Sequence, residues 1–188
     1  MTFTPMDIPG VVCIDPLVHG DERGFFFETM RSNVFEAHGI PGTFVQENTS
    51  RSRKGILRGL HIQHPFGQGK LVRAVRGAVF DVAVDMRKGS PTFGAWYGCE
   101  LSEENRRQLW IPAGCAHGFY VTSDIADIVY KCTEYYHPET EFAVRWDDPV
   151  IGIAWPLDGA PVLSAKDAHA LYLREIATLP VYSDGVTA

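Results

Sequence analysis

Between residues 70 and 86 the chain alternates with a period of two, and no other stretch constrains the fold as strongly. Within 79–86, Phe80, Val82, Val84 and Met86 are apolar, while Asp81, Ala83 and Asp85 are polar or small. Successive side chains of a β-strand point to opposite faces, so this pattern predicts a strand with one face in a core. Residues 70–76 alternate likewise, and Gly77 between the two runs marks a hairpin. Eight further short segments have strand character: 10–17, 25–29, 44–48, 94–101, 108–112, 115–122, 125–134 and 141–146. Glycine and proline punctuate them, as in the turns at 19–24, 88–91 and 147–149. A helix is expected at 164–176, with Ser164 as N-cap and Asp167 three residues on, and a short one at 33–38. About ten short strands and little helix predict an all-β closed antiparallel barrel or jelly roll with a short C-terminal helix. A single domain over residues 1–188 is expected from the length. Barrels of this kind commonly hold a small ligand in the mouth.

The charge distribution says what that ligand is. The chain carries a formal charge of −6, yet no Asp or Glu occurs from residue 48 to residue 80. Arg51, Arg53, Lys54, Arg58, Lys70, Arg73 and Arg76 all lie there. A local positive field on an acidic protein suits a small anion better than a polyanion, so no nucleic-acid partner is expected. No apolar run approaches the roughly 20 residues that span a bilayer, so no membrane partner is expected either. The opening residues MTFTPMDIPG lack the basic and apolar regions of a signal peptide. Cys13, Cys99, Cys115 and Cys132 are far apart, form no CxxC pair and sit in strand-like contexts. Reduced core thiols and a cytoplasmic location are the expectation.

Seven histidines raise the question of a metal. The metal sites of double-stranded β-barrels want His-x-His, a glutamate a few residues on, and a further histidine from a later strand. Here the first part reads His61-Ile-Gln-His64 with no glutamate near, so the spacing fails and no metal is expected. His61 then remains as a proton carrier near neutral pH. By itself it is an ordinary strand histidine. Its company, Arg58 three residues before and Lys70 across a Pro-Phe-Gly-Gln-Gly turn, makes it a candidate. His117, in a Gly-flanked strand, reads by itself as structural, Tyr130 as a strand tyrosine, and Asp167 as a helix-capping carboxylate.

Several long blocks place these residues in a known pattern. The motifs DERGFFFET, ILRGLHIQ, GKLVRAVRGAVFDVAVDMRKGSPTFG, RQLWIPAGCAHGF and YKCTEYYHPE occur in order, from about residue 9 to residue 167. In them the chain resembles the 3,5-epimerases of dTDP-4-dehydro-6-deoxy sugars. The resemblance implies a cupin-type double-stranded β-helix, usually a homodimer in which one subunit's N-terminal strand completes the other's site. It implies His61 as general base, Asp167 as the carboxylate orienting it, Tyr130 as general acid on the other face of the sugar, and Lys70 as the cation beside the C4 carbonyl oxygen. Arg58 corresponds to a diphosphate contact, and Lys166 stands where the family often has a basic residue of the substrate-binding set. Arg23, Phe26 and Glu28 correspond to positions reaching the nucleotide across the dimer, Gln46 and Asn48 to polar nucleotide contacts, and Tyr136 to an aromatic lining the site. His117 joins the substrate-binding set.

The implied chemistry suits these residue types. A C–H beside a ketone is acidic only if the developing enolate oxygen is stabilised, and a lysine in a dry barrel mouth can do so. Inverting a carbon needs a base on one face and an acid on the other, because a single group tends to return the proton where it came from. No redox cofactor is implied, in keeping with the lack of a GxGxxG fingerprint. The loop at 64–69, Glu134-Tyr-Tyr-His137 and the 142–144 segment depart from the family's usual wording. Epimerases acting at C3 or C5 alone, a ketoisomerase and a non-catalytic nucleotide-sugar-binding barrel remain as alternatives.

Overall fold

The structure, a computed structural model, describes residues 1–183 of the 188. The chain begins with β1 (Thr2–Pro5), β2 (Val12–Asp15), β3 (Val18–Asp21) and β4 (Gly24–Phe27), followed by α1 (Ser32–Glu36). Next come β5 (Gln46–Arg53), β6 (Leu57–Gln63), β7 (Lys70–Arg76), β8 (Ala78–Asp85) and β9 (Trp96–Ser102). β10 (Gln108–Ile111), β11 (Cys115–Val121), β12 (Ile125–Cys132) and β13 (Glu141–Ala143) complete the strands, and α2 (Ala165–Ala168) precedes a 3-10 turn at Leu173–Glu175.

Two antiparallel sheets carry the fold. One is ordered β1-β2-β10-β7-β12-β5 and the other β13-β6-β11-β8-β9, while β3 and β4 pair only with each other. Neighbours such as β10 and β2, or β12 and β7, are distant in sequence, as in a jelly roll, and the architecture is the all-β double-stranded β-helix expected. The sheets close on a core drawn from both: Val72 and Leu109 from one, Val79, Ala83 and Phe119 from the other, with Ile128 and Ile111. Outside the first sheet, α1 lays Phe35 over Val12, Ile14, Leu71 and Trp110. Outside the second, Val144, Ile151 and Leu173 cover Leu60, Ile62, Val82, Val84 and Met86. No helix among the described residues is long and apolar enough to cross a membrane.

Three expectations change. The runs on either side of Gly77 do not form a hairpin: β7 pairs with β10 and β12, β8 pairs with β11 and β9, and Gly77, at a φ of +66°, carries the chain from one sheet to the other. In β8 the apolar positions were read as the core face and the polar positions as the outer face. Both faces are buried: Val82, Val84 and Met86 pack outward under the C-terminal segment, while Val79, Asp81 and Ala83 face between the sheets. The helix expected over 164–176 ends after one turn. Ser164 does cap it, accepting from the Asp167 amide at 3.1 Å. Beyond it Leu171 bridges to Val144, and the Leu173 amide donates to Asp148 Oδ2 at 2.7 Å, drawing Leu173 into the outer core. Tertiary packing here overrides helix propensity. The strand Thr2–Pro5, too short and mixed to show a period, escaped the sequence reading.

Phe35 is fully buried, distant in sequence from any candidate catalytic group, and seals the outer core of the first sheet. Phe35→Ala should lower the stability measured by urea unfolding by about 3–5 kcal/mol. A loss below about 1 kcal/mol would mean that α1 does not pack on that face.

Candidate active site

The site begins with a break in strand alternation. In β6 the partners across to β11 are His61 opposite His117 and Arg58 opposite Phe119, so β6 holds one residue more than β11 between these pairs. The extra residue is a β-bulge, and it brings Arg58 and His61, three apart, to the same inner face. Gly59 makes this possible. Its φ is +113°, and a Cβ there would lie 2.6 Å from Gly118 Cα and from the His117 carbonyl oxygen. Only glycine fits.

His61 is held from behind. Its Nε2 lies 2.6 Å from Asp167 Oδ1, and Ser164 Oγ donates to Asp167 Oδ2 at 2.9 Å. Asp167 is 2% exposed and His61 27% exposed. Burial alone would push the Asp167 pKa up. The hydrogen bond from His61, the charge of the imidazole, Ser164 and the Gly59 amide outweigh it and hold the carboxylate below its usual range. An ionised carboxylate only accepts, so His61 Nε2 carries the donating proton, which leaves Nδ1 as the ring nitrogen turned to the barrel interior.

The opposite sheet supplies the other groups. Lys70 stands opposite Cys132 and Ile111, and Ile111 lies in the inter-sheet core, so Lys70 faces inward. Tyr130 lies between Asn48 and Val72 on the same face. Burial pushes the Tyr130 hydroxyl's pKa up, and the charges of Cys132 and Glu141 push it further. It therefore stays a proton donor at neutral pH. Burial lowers the pKa of the Lys70 ammonium, with Cys132, Glu141 and Asp81 opposing. Gln46 Nε2 donates to Asn48 Oδ1 at 3.1 Å, and Gln46 Oε1 accepts from the Tyr136 amide at 2.9 Å. Arg58 Nε donates to Ser52 Oγ at 2.9 Å across the barrel mouth.

Two carboxylates that the sequence did not single out belong to this constellation. Asp81 is fully buried, and its Oδ2 lies 2.9 Å from His117 Nε2, while its Oδ1 has no hydrogen-bond partner. Its only signal was a polar residue on the β8 face opposite Phe80, Val82 and Val84. Glu141 opens β13, where its carboxylate accepts from Lys166 Nζ and, at 3.1 Å, from the Tyr136 hydroxyl. Burial alone would raise the Glu141 pKa. The Lys166 hydrogen bond and the charges of His61 and Lys166 bring it down. No sequence pattern marked it.

The structure brings His61, Asp167, Tyr130, Lys70, Gln46, Asn48, Arg58, His117, Tyr136 and Lys166 around one barrel mouth. It leaves Arg23, Phe26 and Glu28 apart from it. Arg23 pairs with Asp21, Glu28 with Arg31, and Phe26 is 72% exposed on the β3–β4 hairpin. A cavity of about 740 Å³ opens beside Gln63, His64, Arg87, Trp110 and Tyr182, and none of the candidate side chains lines it.

The folded pKa of Asp167 lies below the unfolded value, so its carboxylate stabilises the fold above about pH 4 and the gain is lost as pH falls through the depressed value. Thermal unfolding of the wild type should therefore fall off more steeply below about pH 4 than that of Asp167→Asn. Parallel curves would show that the carboxylate is not held ionised.

A family model described as dTDP-4-dehydrorhamnose 3,5-epimerase matches residues 5–175. The chain is 56% identical over 181 residues to the dTDP-4-dehydrorhamnose 3,5-epimerase of Pseudomonas aeruginosa, covering 96% of this chain and 100% of that protein. It is 61% identical over 160 residues to the protein of the same name from Neisseria gonorrhoeae, covering 85% of this chain and 49% of that one; the chain thus spans about half of that relative's length. Among solved structures, dTDP-6-deoxy-D-glucose-3,5-epimerase from Legionella pneumophila Philadelphia 1, in complex with dTDP-4-keto-L-rhamnose, is similar with a TM-score of 0.94 at 53% identity, covering 97% of this chain and 98% of that one.

Proposed function

The chain belongs to the dTDP-4-dehydrorhamnose 3,5-epimerase family, and we propose that it inverts C3 and C5 of dTDP-4-dehydro-6-deoxy-D-glucose to give dTDP-4-dehydro-L-rhamnose. One observation carries the reading: His61 and Tyr130 stand on different sheets that face each other across the barrel, with Lys70 on the strand beside Tyr130. A sugar ring lying between the sheets meets a base on one face and an acid on the other.

His61 Nδ1 takes the proton from the carbon next to the C4 ketone, and the electron pair moves into the ring as an enolate. The Lys70 ammonium meets the negative charge at the C4 oxygen, an effect worth roughly 10²–10³ in rate. The Tyr130 hydroxyl then delivers a proton to the opposite face of the same carbon, leaving it inverted. The imidazolium and the phenolate return to their starting states by exchange with solvent. Asp167 holds the His61 tautomer throughout, as in other Asp–His pairs. Reactant and product are stereoisomers, so no electrons are gained or lost and no redox cofactor is required.

Arg58, together with Lys166 once it turns from Glu141, offers positive charge to the diphosphate, and Gln46, Asn48, Tyr136 and His117 supply polar and aromatic contacts. The exposed β3–β4 hairpin carries Arg23 and Phe26, with Glu28 following it, into the nucleotide end of a second copy's site in a homodimer. Four free cysteines among the described residues support a cytoplasmic location.

Proton NMR of the enzyme with the 4-keto-6-deoxy sugar nucleotide in D₂O should show deuterium entering at both C3 and C5. Exchange at one carbon only would mark a single-centre epimerase, and tight binding without exchange would mark a binding barrel. His61→Asn should lower kcat by about 10²–10⁴ with little change in dTDP affinity; near-normal turnover would remove His61 as the base.

A further inference from the structure

A fifth side chain stands among these groups, and the chemistry above does not use it. Cys132 ends β12 and is fully buried. It lies directly opposite Lys70 in the β7–β12 ladder and two residues beyond Tyr130 on the same face. Asn48 Nδ2 donates to Cys132 Sγ at 3.7 Å, and Asn48 stands directly opposite Tyr130 in the β5–β12 ladder. Among the described residues Lys70 forms no ion pair and no side-chain hydrogen bond, and the β7–β12 ladder sets the Cys132 thiol directly opposite it. The titratable groups facing Lys70 are Cys132 on β12, Glu141 on β13, Asp81 on β8 and Lys166 on α2. Burial raises the Cys132 pKa, with Lys70 and Asn48 opposing, so the group that faces Lys70 is a neutral thiol.

We propose that Cys132 is a positioning residue for the epimerisation, its thiol linking the Asn48 amide, opposite Tyr130, to the place where the Lys70 ammonium rests. This rests on the assignment of Lys70 and Tyr130 given above. The physical need is specific. A desolvated ammonium beside purely apolar atoms loses its proton more readily, and a buried amide N–H without an acceptor turns away to find one. A small hydrogen-bonding group at position 132 prevents both. An apolar side chain of similar size fills the same space and prevents neither. If Cys132 served packing alone, valine would do as well and serine would do worse.

The test compares Cys132→Val, Cys132→Ser and Lys70→Met in the full chain, with turnover of the dTDP-linked 4-keto sugar, dTDP affinity and thermal stability measured on each. Cys132→Val should lower kcat by about 10- to 100-fold with KM changed by less than about threefold. Its kcat–pH profile should lose activity at a lower alkaline pH than the wild type, because Lys70 gives up its proton earlier. Cys132→Ser should bring kcat back to within about threefold of wild type, since a hydroxyl restores both acceptor and donor. A Cys132→Val enzyme with wild-type kcat and an unmoved pH profile would overturn the inference. So would equal losses in the valine and serine variants accompanied by lowered stability. Lys70→Met separates the two levels: if it keeps wild-type turnover, the reading of Lys70 itself fails, whereas a dead Lys70→Met beside an unaffected Cys132→Val overturns the role of Cys132 alone.

Discussion

The hydrogen bond between His61 Nε2 and Asp167 Oδ1, 2.6 Å long, ties the middle of the second sheet to the single turn of helix that follows the last strand. Much of the surrounding structure is needed to make it. The bulge at Gly59 must turn His61 inward beside Arg58, and Gly118 must leave room for that bulge. Ser164 must both cap the turn and hold the second carboxylate oxygen. Leu173, anchored by Asp148, must pack under β8 so that the segment stays down. A carboxylate 2% exposed is costly to bury, and it stays ionised only because each of these donors is in place.

Elsewhere in the interior the polar groups are satisfied unevenly. His117 and Asp81 form a buried pair opposite His61, yet one Asp81 oxygen is left without a partner. Lys70 is buried, which lowers its pKa, and among the described residues no carboxylate is bonded to it. A stability-optimised barrel would fill these positions with apolar side chains, because buried charges rarely repay their desolvation. Their concentration at one end of the barrel, on both sheets, supports the proposed site, where charge would develop during the reaction. The rim behaves differently: Lys166, Glu141 and Tyr136 form a bonded group at the entrance, where an arriving anion can compete for the lysine.

Much of this was legible in the sequence. The strands of 70–76 and 79–86 show their period directly, and the motif blocks pointed to His61, Lys70, Tyr130 and Asp167 as one group. What the sequence hid follows from the geometry of a closed barrel. A period of two says that a strand has two faces but not which one is the interior, so nothing in the pattern marked Asp81, on the face opposite Phe80, Val82 and Val84, as a residue at the heart of the barrel. A bulge violates that period, so the shared face of Arg58 and His61 could not be read from their spacing. The helical pattern at 164–176 is genuine as a local preference, but bridges to Val144 and Asp148 pull the chain out of it after one turn. Glu141 became visible only when folding brought β13 beside Lys166.

The two-sided arrangement of base and acid is tested most directly by following Tyr130→Phe in D₂O with the 4-keto sugar, recording exchange and inversion separately at C3 and C5. With His61 and Lys70 intact, the enolate still forms, so deuterium should enter with retained configuration while inversion falls by about 10²–10⁴. Inversion at the wild-type rate in that variant would show that the second proton does not come from Tyr130 and that the facing sheets do not divide the chemistry between them.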